Sequence, residues 1–257
     1  MGVRFEKWQA LGNDYLIVEE PVDVRAVCDR HTGVGADGVL LLGPPDAPGF
    51  VARLRIFNPD GSEAELSGNG ARQALMYLHH RGRTRSPRFS IQTAAGEVRA
   101  EVLDATRCRM DLGRARHLGD GQVAGFACTE LNVGNPQCAI RIADRDALEA
   151  LDLAVVGPPI EHDPRFPNRA NVSFWTEVAP GAIRARIFER GVGETRSSGT
   201  GATGAAIAHV LRGGDSPVTV HLDGGELEVD VEEDLHVDLT GWAVPVFAGE
   251  LLAVPGR

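Results

Sequence analysis

Short stretches of alternating apolar and polar residues fill most of the chain. RLRIFN from Arg53, FSIQTA from Phe89, EVRAEVL from Glu97, NVSFWTEV from Asn171, AIRARIFE from Ala182 and LEVDV from Leu227 carry a two-residue period, as do CRMDL, QCAIRIA, VTVHL and LHVDL. They are rich in β-branched side chains and separated by Gly, Pro, Asp or Asn, which predicts strands. Helical spacing is rarer. Ala71, Ala74, Leu75 and Leu78 share one stripe, predicting a helix from about Gly70 to His80, and ATGAAIAHVL predicts another from about Gly201 to Leu211. Shorter helices are expected around Val24 and Leu148. GPPIEHDPRFP, which holds His162, reads as a proline-rich loop.

The two main helices begin on related turns. Ser67-Gly68-Asn69-Gly70-Ala71 and Ser198-Gly199-Thr200-Gly201-Ala202 repeat one device, and Leu11-Gly12-Asn13 has a fainter echo in Val133-Gly134-Asn135. Strands precede and follow each turn. The expected class is α+β, with two pseudo-symmetric halves, each a rolled, mostly antiparallel β-sheet around a central helix. The halves are expected at 1–116 and 117–245, with the tail, about 246–257, returning to the first.

A glycine-rich turn at a helix start leaves backbone N–H groups unpaired, and the helix dipole adds to their positive potential. An anion, or the conjugate base of a reactive side chain, is favoured there. Two such turns addressing one small substrate from opposite faces would suit a two-base racemase, in which one group removes an α-proton and the other delivers one. Taken singly, each turn also reads as a plain glycine-rich helix cap. GTGATG matches the dinucleotide-binding fingerprint, but the strand before it ends about ten residues too early for a tight strand-turn-helix unit.

Charge and composition narrow the classes. A net charge of -10 disfavours nucleic acid or an anionic membrane as partner. No apolar run approaches the roughly 20 residues of a membrane span, and MGVRFEKWQA lacks the apolar core of a secretory signal. The four cysteines form no CxxC pair and no ligand-like spacing with histidine, so a reduced, cytoplasmic protein without a metal site is expected. His79 and His80 suit the end of a helix, and the three tryptophans read as packing residues. Asp14 and Asp37 read as turn residues, and Arg72 as a structural partner of Glu63 or Glu65.

ALGNDYLIVE, DRHTGVGADGVLL, RIFNPDGSEAELSGNGAR, NVGNPQCAI, NRANVSF and ERGVGETRSSGTGA together resemble the diaminopimelate epimerase family in order and spacing, over nearly the whole chain. The resemblance implies cofactor-independent inversion at an amino-acid α-carbon, a place in lysine biosynthesis, and a small amino-acid-like substrate. It also allows a homodimer. It implies that Asn13, Asn58, Asn135, Gln137, Asn171 and Arg190 contact substrate, that Glu189 is an ammonium partner, and that Gly68-Asn69 and Gly199-Thr200 form the two helix-start nests. Catalysis falls to Ser67, Ser198 and Glu189.

Three positions depart from that family. It carries cysteine where this chain has Ser67 and Ser198, and usually histidine where this chain has Gln137. A thiol has a pKa of about 8.5, lower still at a helix N-terminus. A serine hydroxyl needs an adjacent base to take its proton, and glutamine does not titrate. Several readings stay open: an isomerase with a carboxylate base such as Glu65, Glu189 or Glu194; a catalytically silent homologue that binds an amino acid or a partner; a cysteine-to-serine variant of a true diaminopimelate epimerase; or a one-sided reaction such as double-bond migration. The phenazine-pathway isomerase, which the chain distantly resembles, uses a glutamate in place of the cysteine pair.

Overall fold

The computed structural model describes residues 2–252. The described chain forms two compact units, residues 2–110 with 241–252, and residues 111–240. Chain passes between them within the strands Arg107–Arg114 and His236–Trp242.

In the first unit the hairpin of Val3–Ala10 and Asn13–Val18 turns through Leu11 and Gly12, both at positive φ (56° and 82°). Two left-handed residues make the tight turn whose twist suits a hairpin. Asn13–Val18 then pairs in parallel with Gly38–Gly43, after the short helix α1 (Val24–Cys28). Gly38–Gly43 pairs antiparallel with Arg53–Phe57. That strand pairs antiparallel with the two-residue strand Glu63–Ala64 and in parallel with Arg88–Thr93, which forms a hairpin with Gly96–Val102. Helix α2 (Gly68–His80) touches strands of this sheet on several sides and buries Asn69 to Leu78.

The second unit repeats the series. Phe126–Asn132 and Pro136–Arg141 form a hairpin, and Pro136–Arg141 pairs in parallel with Asn171–Ala179. That strand pairs antiparallel with Ala182–Glu189, which in turn takes the short strand Gly193–Thr195 antiparallel and Val218–Leu222 in parallel. Val218–Leu222 closes on Gly225–Val231. Where the first unit has α1, the second has α3 (Arg145–Glu149) and α4 (Leu153–Glu161). Helix α5 (Gly199–Leu211) is the counterpart of α2 and buries Gly199 and the residues from Gly201 to His209. The expected class and paired architecture are therefore observed.

The registers make individual positions equivalent. Tyr15 pairs with Gly38, Val39 with Phe57, and Phe57 with Glu63. Gln137 pairs with Asn171, Val172 with Phe188, and Phe188 with Glu194. Tyr15 thus corresponds to Gln137, and Asn58, one residue past Phe57, corresponds to Glu189.

Two readings are corrected here. GPPIEHDPRFP is not all loop: Gly157 to Glu161 complete α4, and His162 is its C-cap. Prolines 158 and 159 remove the bonds that Ala154 and Val155 carbonyls would accept, but both residues are exposed, so water can serve. Gly157 is there for close packing, since a Cβ would lie 2.5 Å from the Phe188 ring. Arg72 is not a partner of Glu63 or Glu65. It is fully buried, and donates from Nε to the Trp242 carbonyl (3.1 Å) and from Nη2 to Asn69 Oδ1 (2.6 Å), while Glu63 pairs with Arg55. Burial pushes the Arg72 guanidinium down to about 10.

Alanine and glycine let strands approach α5 closely. A Cβ on Gly201 would sit 2.6 Å from Ile187 Cγ2, whereas one on Gly70 would meet Leu40 Cδ2 at 3.0 Å. Ile187 is β-branched and stiff, so it cannot swing away. Gly201→Ala is expected to cost about 1–3 kcal/mol in urea unfolding, and Gly70→Ala less. Equal costs would show that Ile187 yields.

Candidate active site

Ser198 is the N-cap of α5, at φ -140° and ψ 121°, and its Oγ accepts from the Gly201 N–H at 3.2 Å. A serine hydroxyl has one proton to give, and here it goes to Glu189 Oε2 at 2.9 Å. Thr195 Oγ1 donates to the other oxygen, Oε1, at 2.7 Å. The intervening Arg190–Glu194 segment reverses through Gly191 and Gly193, both at positive φ, so that Glu189 pairs with Gly193 and Ile187 with Thr195. This turn carries Thr195 back beside Glu189 and places Ser198 within reach of the same carboxylate. Burial raises the Glu189 pKa, and the Thr195 and Ser198 hydrogen bonds only partly offset it. The result is a hydroxyl held against a buried carboxylate, the arrangement that activates a weak oxygen base.

Other residues surround this pair within the second unit. Gln137 is fully buried and donates to Asn135 Oδ1 at 2.5 Å, and Asn135 donates to Thr200 Oγ1 at 3.3 Å. Gln137 therefore orients an amide over the first turn of α5. Asn171 accepts the Arg190 N–H at 2.8 Å, while the exposed Arg190 side chain donates to the Asn168 carbonyl at 3.0 Å. The Gly199 and Thr200 N–H groups have no protein partner among the described residues.

Ser67 repeats the cap in the first unit. It begins α2 at φ -131° and ψ 121°, and accepts from the Gly70 N–H at 3.1 Å. Its second partner is a hydroxyl instead of a carboxylate: Tyr15 Oη donates to Ser67 Oγ at 3.3 Å. Accepting twice leaves the Ser67 proton free to be donated. Asn58, at the register position of Glu189, is exposed and bonded to Ser62 within its own turn (3.0 Å), so no carboxylate stands there. Tyr15 had no signal in the sequence beyond strand alternation. Thr195 could have been found from the two glycines that fold ERGVGET back on itself.

Asn13 is fixed by its surroundings. Its Nδ2 donates to Asp37 Oδ2 (2.9 Å) and its carbonyl accepts from Gln73 (3.0 Å). Asp14 and Asp37 are more than turn residues, because both pair with Arg30 and Asp14 also pairs with Lys7 at 2.7 Å. Burial pushes the Asp14 carboxyl up, but hydrogen bonds from Arg30 and Lys7 outweigh it and hold the pKa down at about 2. That stabilisation is present above the unfolded value of 3.8 and lost as pH falls through about 2. Asp14→Asn should cost about 1–2 kcal/mol at pH 7 in urea unfolding, with the difference from the parent closing near pH 2. A pH-independent difference would mean that the ion pairs contribute nothing.

The helix-start expectation is corrected in one respect: the Gly70 and Gly201 N–H groups are occupied by the cap serines, so Gly201 offers an anion nothing. The other two carboxylates considered as bases are not placed like Glu189. Glu194 pairs with Arg186 at 2.7 Å, and Glu65 is exposed. One group of metal-ligand type exists among the described residues, Asp111, His236 and Asp238, with ligand atoms within 4.8 Å of one another. None of the three belongs to the serine-bearing turns. No described helix is long and apolar enough to cross a membrane.

The chain is similar to known proteins over nearly its whole length. The family model for diaminopimelate epimerase matches residues 5–118 and 129–245. Diaminopimelate epimerase of Pelotomaculum thermopropionicum is 39% identical, with 96% of this chain and 98% of the relative covered. That of Methanothermobacter thermautotrophicus is also 39% identical, covering 98% and 100%. Among solved structures, a hydroxyproline epimerase from Agrobacterium vitis with bound trans-4-hydroxy-L-proline superposes with a TM-score of 0.74 at 17% identity, covering 98% of this chain and 93% of that one. A Bacillus anthracis phenazine biosynthesis protein superposes with a TM-score of 0.72 at 16% identity, covering 98% and 100%. These last two likenesses are of fold. The matched family model and the relatives identical at more than a third of positions over nearly their full length establish that the chain belongs to the diaminopimelate epimerase family.

Proposed function

We propose that the chain epimerises the α-carbon of a small amino-acid-like substrate without a cofactor, with Ser198 and Glu189 as the proton-accepting pair and Ser67 as the donor. The observation that carries this reading is the Ser198–Glu189 hydrogen bond to a buried carboxylate of raised pKa. As the α C–H bond breaks, its proton goes to Ser198 Oγ while the Ser198 proton passes to Glu189 Oε2. The electron pair left on the α-carbon is shared with the substrate carboxylate, for which the Gly199 and Thr200 N–H groups at the positive end of α5 are suited. Ser67 O–H then delivers a proton to the carbon, and Tyr15 O–H stabilises the oxygen left behind. Protons balance, one gained at Glu189 and one lost at Ser67.

Family membership makes diaminopimelate the first substrate to test. Solvent deuterium exchange at the α-carbon, followed by NMR over a panel of amino acids, reads the chemistry directly. Exchange with inversion is the expected result, at a rate orders of magnitude below that of a cysteine-bearing relative because an alkoxide is harder to form than a thiolate. A second reading is favoured by Asn58, which leaves the first unit without a carboxylate: a one-base isomerase would give exchange without inversion. No exchange on any member of the panel would reject both.

A further inference from the structure

Glu189 opens a surface turn that little apolar packing holds in place. Glu189 to Val192 form a tight reversal, closed by the Val192 N–H on the Glu189 carbonyl (3.0 Å), with Gly191 at φ 75°. Arg190, Gly191 and Val192 are all exposed, Val192 at 74%. Such a reversal opens easily unless its polar groups are tied down. Here both central N–H groups are tied to side chains. Arg190 N–H donates to Asn171 Oδ1 at 2.8 Å, and Gly191 N–H donates to Glu161 Oε1 at 2.8 Å. Glu161 is the last residue of α4 and is 4% exposed. Burying a carboxylate is costly unless it is paired, and the same oxygen also accepts from Arg169 Nη1 at 3.2 Å. Arg169 has φ 58°, uncommon for a residue with a side chain. It follows Asn168, whose carbonyl takes the Arg190 guanidinium at 3.0 Å. One buried oxygen therefore grips the turn on one side and, on the other, the segment against which the turn rests.

We infer that Glu161 is a positioning residue for the proton-accepting pair: it fixes the Gly191 amide and so sets where Glu189 stands beside Ser198. The inference rests on the reading of function given above, in which Glu189 takes the Ser198 proton. Glu189 holds Ser198 Oγ at 2.9 Å through Oε2 and Thr195 Oγ1 at 2.7 Å through Oε1, and the turn is what brings these groups together. Released at Gly191, the turn can flex about Gly191 and Gly193, both at positive φ, and the carboxylate moves with it. A misplacement of about 1 Å in a reacting group can cost about 10²-fold in rate. The first unit makes a looser version of the tie. There α1 reaches the turn after Asn58 through Arg25 Nε on the Asp60 carbonyl at 2.6 Å, an exposed contact. Between these two turns, the helix-to-turn tie is buried only where the turn begins with a carboxylate, Glu189.

The test separates reach from charge. Glu161→Gln keeps an accepting oxygen at the same reach and loses the charge, whereas Glu161→Asp keeps the charge and is one carbon shorter. α-Proton exchange is measured on the full chain at saturating concentrations of the best substrate of the amino-acid panel. Each variant is held below its melting temperature, so that lost stability alone leaves the rate per folded molecule unchanged. Glu161→Gln should stay within about threefold of the parent, the difference between a charged and a neutral acceptor. Glu161→Asp should lose about tenfold to hundredfold in kcat, with KM moving less because Asn171 still holds the Arg190 N–H. In ¹⁵N spectra the Gly191 amide should be protected from exchange with water in the parent and in Glu161→Gln, and unprotected in Glu161→Asp. Arg169→Gln, which leaves the Gly191 bond in place, should keep the parent rate within the same factor. Equal rates throughout, the reverse order of Gln and Asp, a loss in Arg169→Gln as large as in Glu161→Asp, or a Gly191 amide as open in the parent as in Glu161→Asp would overturn the inference alone. A parent that exchanges no α-proton rejects the reading of function, and the inference with it.

Discussion

Glu189→Gln is expected to cut α-proton exchange by about 10²- to 10⁴-fold, the usual worth of one acid–base step, and at the same time to stabilise the protein at pH 8. The two effects have one origin. Burial raises the Glu189 pKa because the charged form loses water. A group raised in this way contributes stability that is complete below its unfolded value, 4.5, and lost as pH rises through the folded value. Glutamine keeps the shape without the charge and, like the protonated acid, offers one accepting oxygen and one donor, so one of the two hydroxyls must turn to accept. Urea unfolding should therefore find the variant more stable than the parent at pH 8 and equal to it at pH 4. A variant that is inactive but less stable at pH 8 would make Glu189 a structural strut whose loss merely disturbs the turn.

The opposite effect is expected from replacing both cap serines by cysteine. Ser67→Cys with Ser198→Cys should raise exchange by at least about 10²-fold, since each thiol lies at a helix start where its pKa falls below about 8.5. Each change also removes an N-cap that accepts from Gly70 or Gly201, at about 1 kcal/mol. The cost should be larger at Ser198, which is 3% exposed, than at the half-buried Ser67. Single replacements should give exchange that outruns inversion, because the serine left on the other face would turn over more slowly than the new thiol. Adding Gln137→His places a titratable ring where an amide now holds Asn135, and should raise the rate again. If the triple variant folds and binds diaminopimelate yet exchanges no α-proton, the serines are not the residues that move protons.

Much of this architecture was legible in the sequence because it rests on local chemistry. A serine followed by Gly-x-Gly-Ala can cap a helix in only a few ways, and both turns do so with nearly equal dihedrals. The two central helices were visible because small apolar residues on every side must be enclosed. Helix α4 was hidden because two prolines read as a break, whereas its capping residue Asp152 and its solvent-facing carbonyls tolerate them. The candidate site was legible as a set of residue types. What the sequence did not show was which groups meet: Tyr15 on Ser67, or Asp37 on Asn13, depends on strand pairings made far along the chain.

The unequal surroundings of the two cap serines have a kinetic consequence. Ser198 rests with its proton leaning on a carboxylate, and Ser67 rests holding its own; in the mechanism we propose, the free protein would therefore be primed to take a proton at the first and give one at the second. Turnover in that direction would leave both in the reverse state, with the proton missing at Ser67 drawn through Tyr15, the more acidic hydroxyl, and in the end from solvent. The free protein must then exchange protons with solvent before it can accept the same antipode again. At high substrate concentration this recovery, and not cleavage of the C–H bond, would limit the rate, and one antipode would saturate the protein at a lower velocity than the other while the equilibrium between them stays untouched.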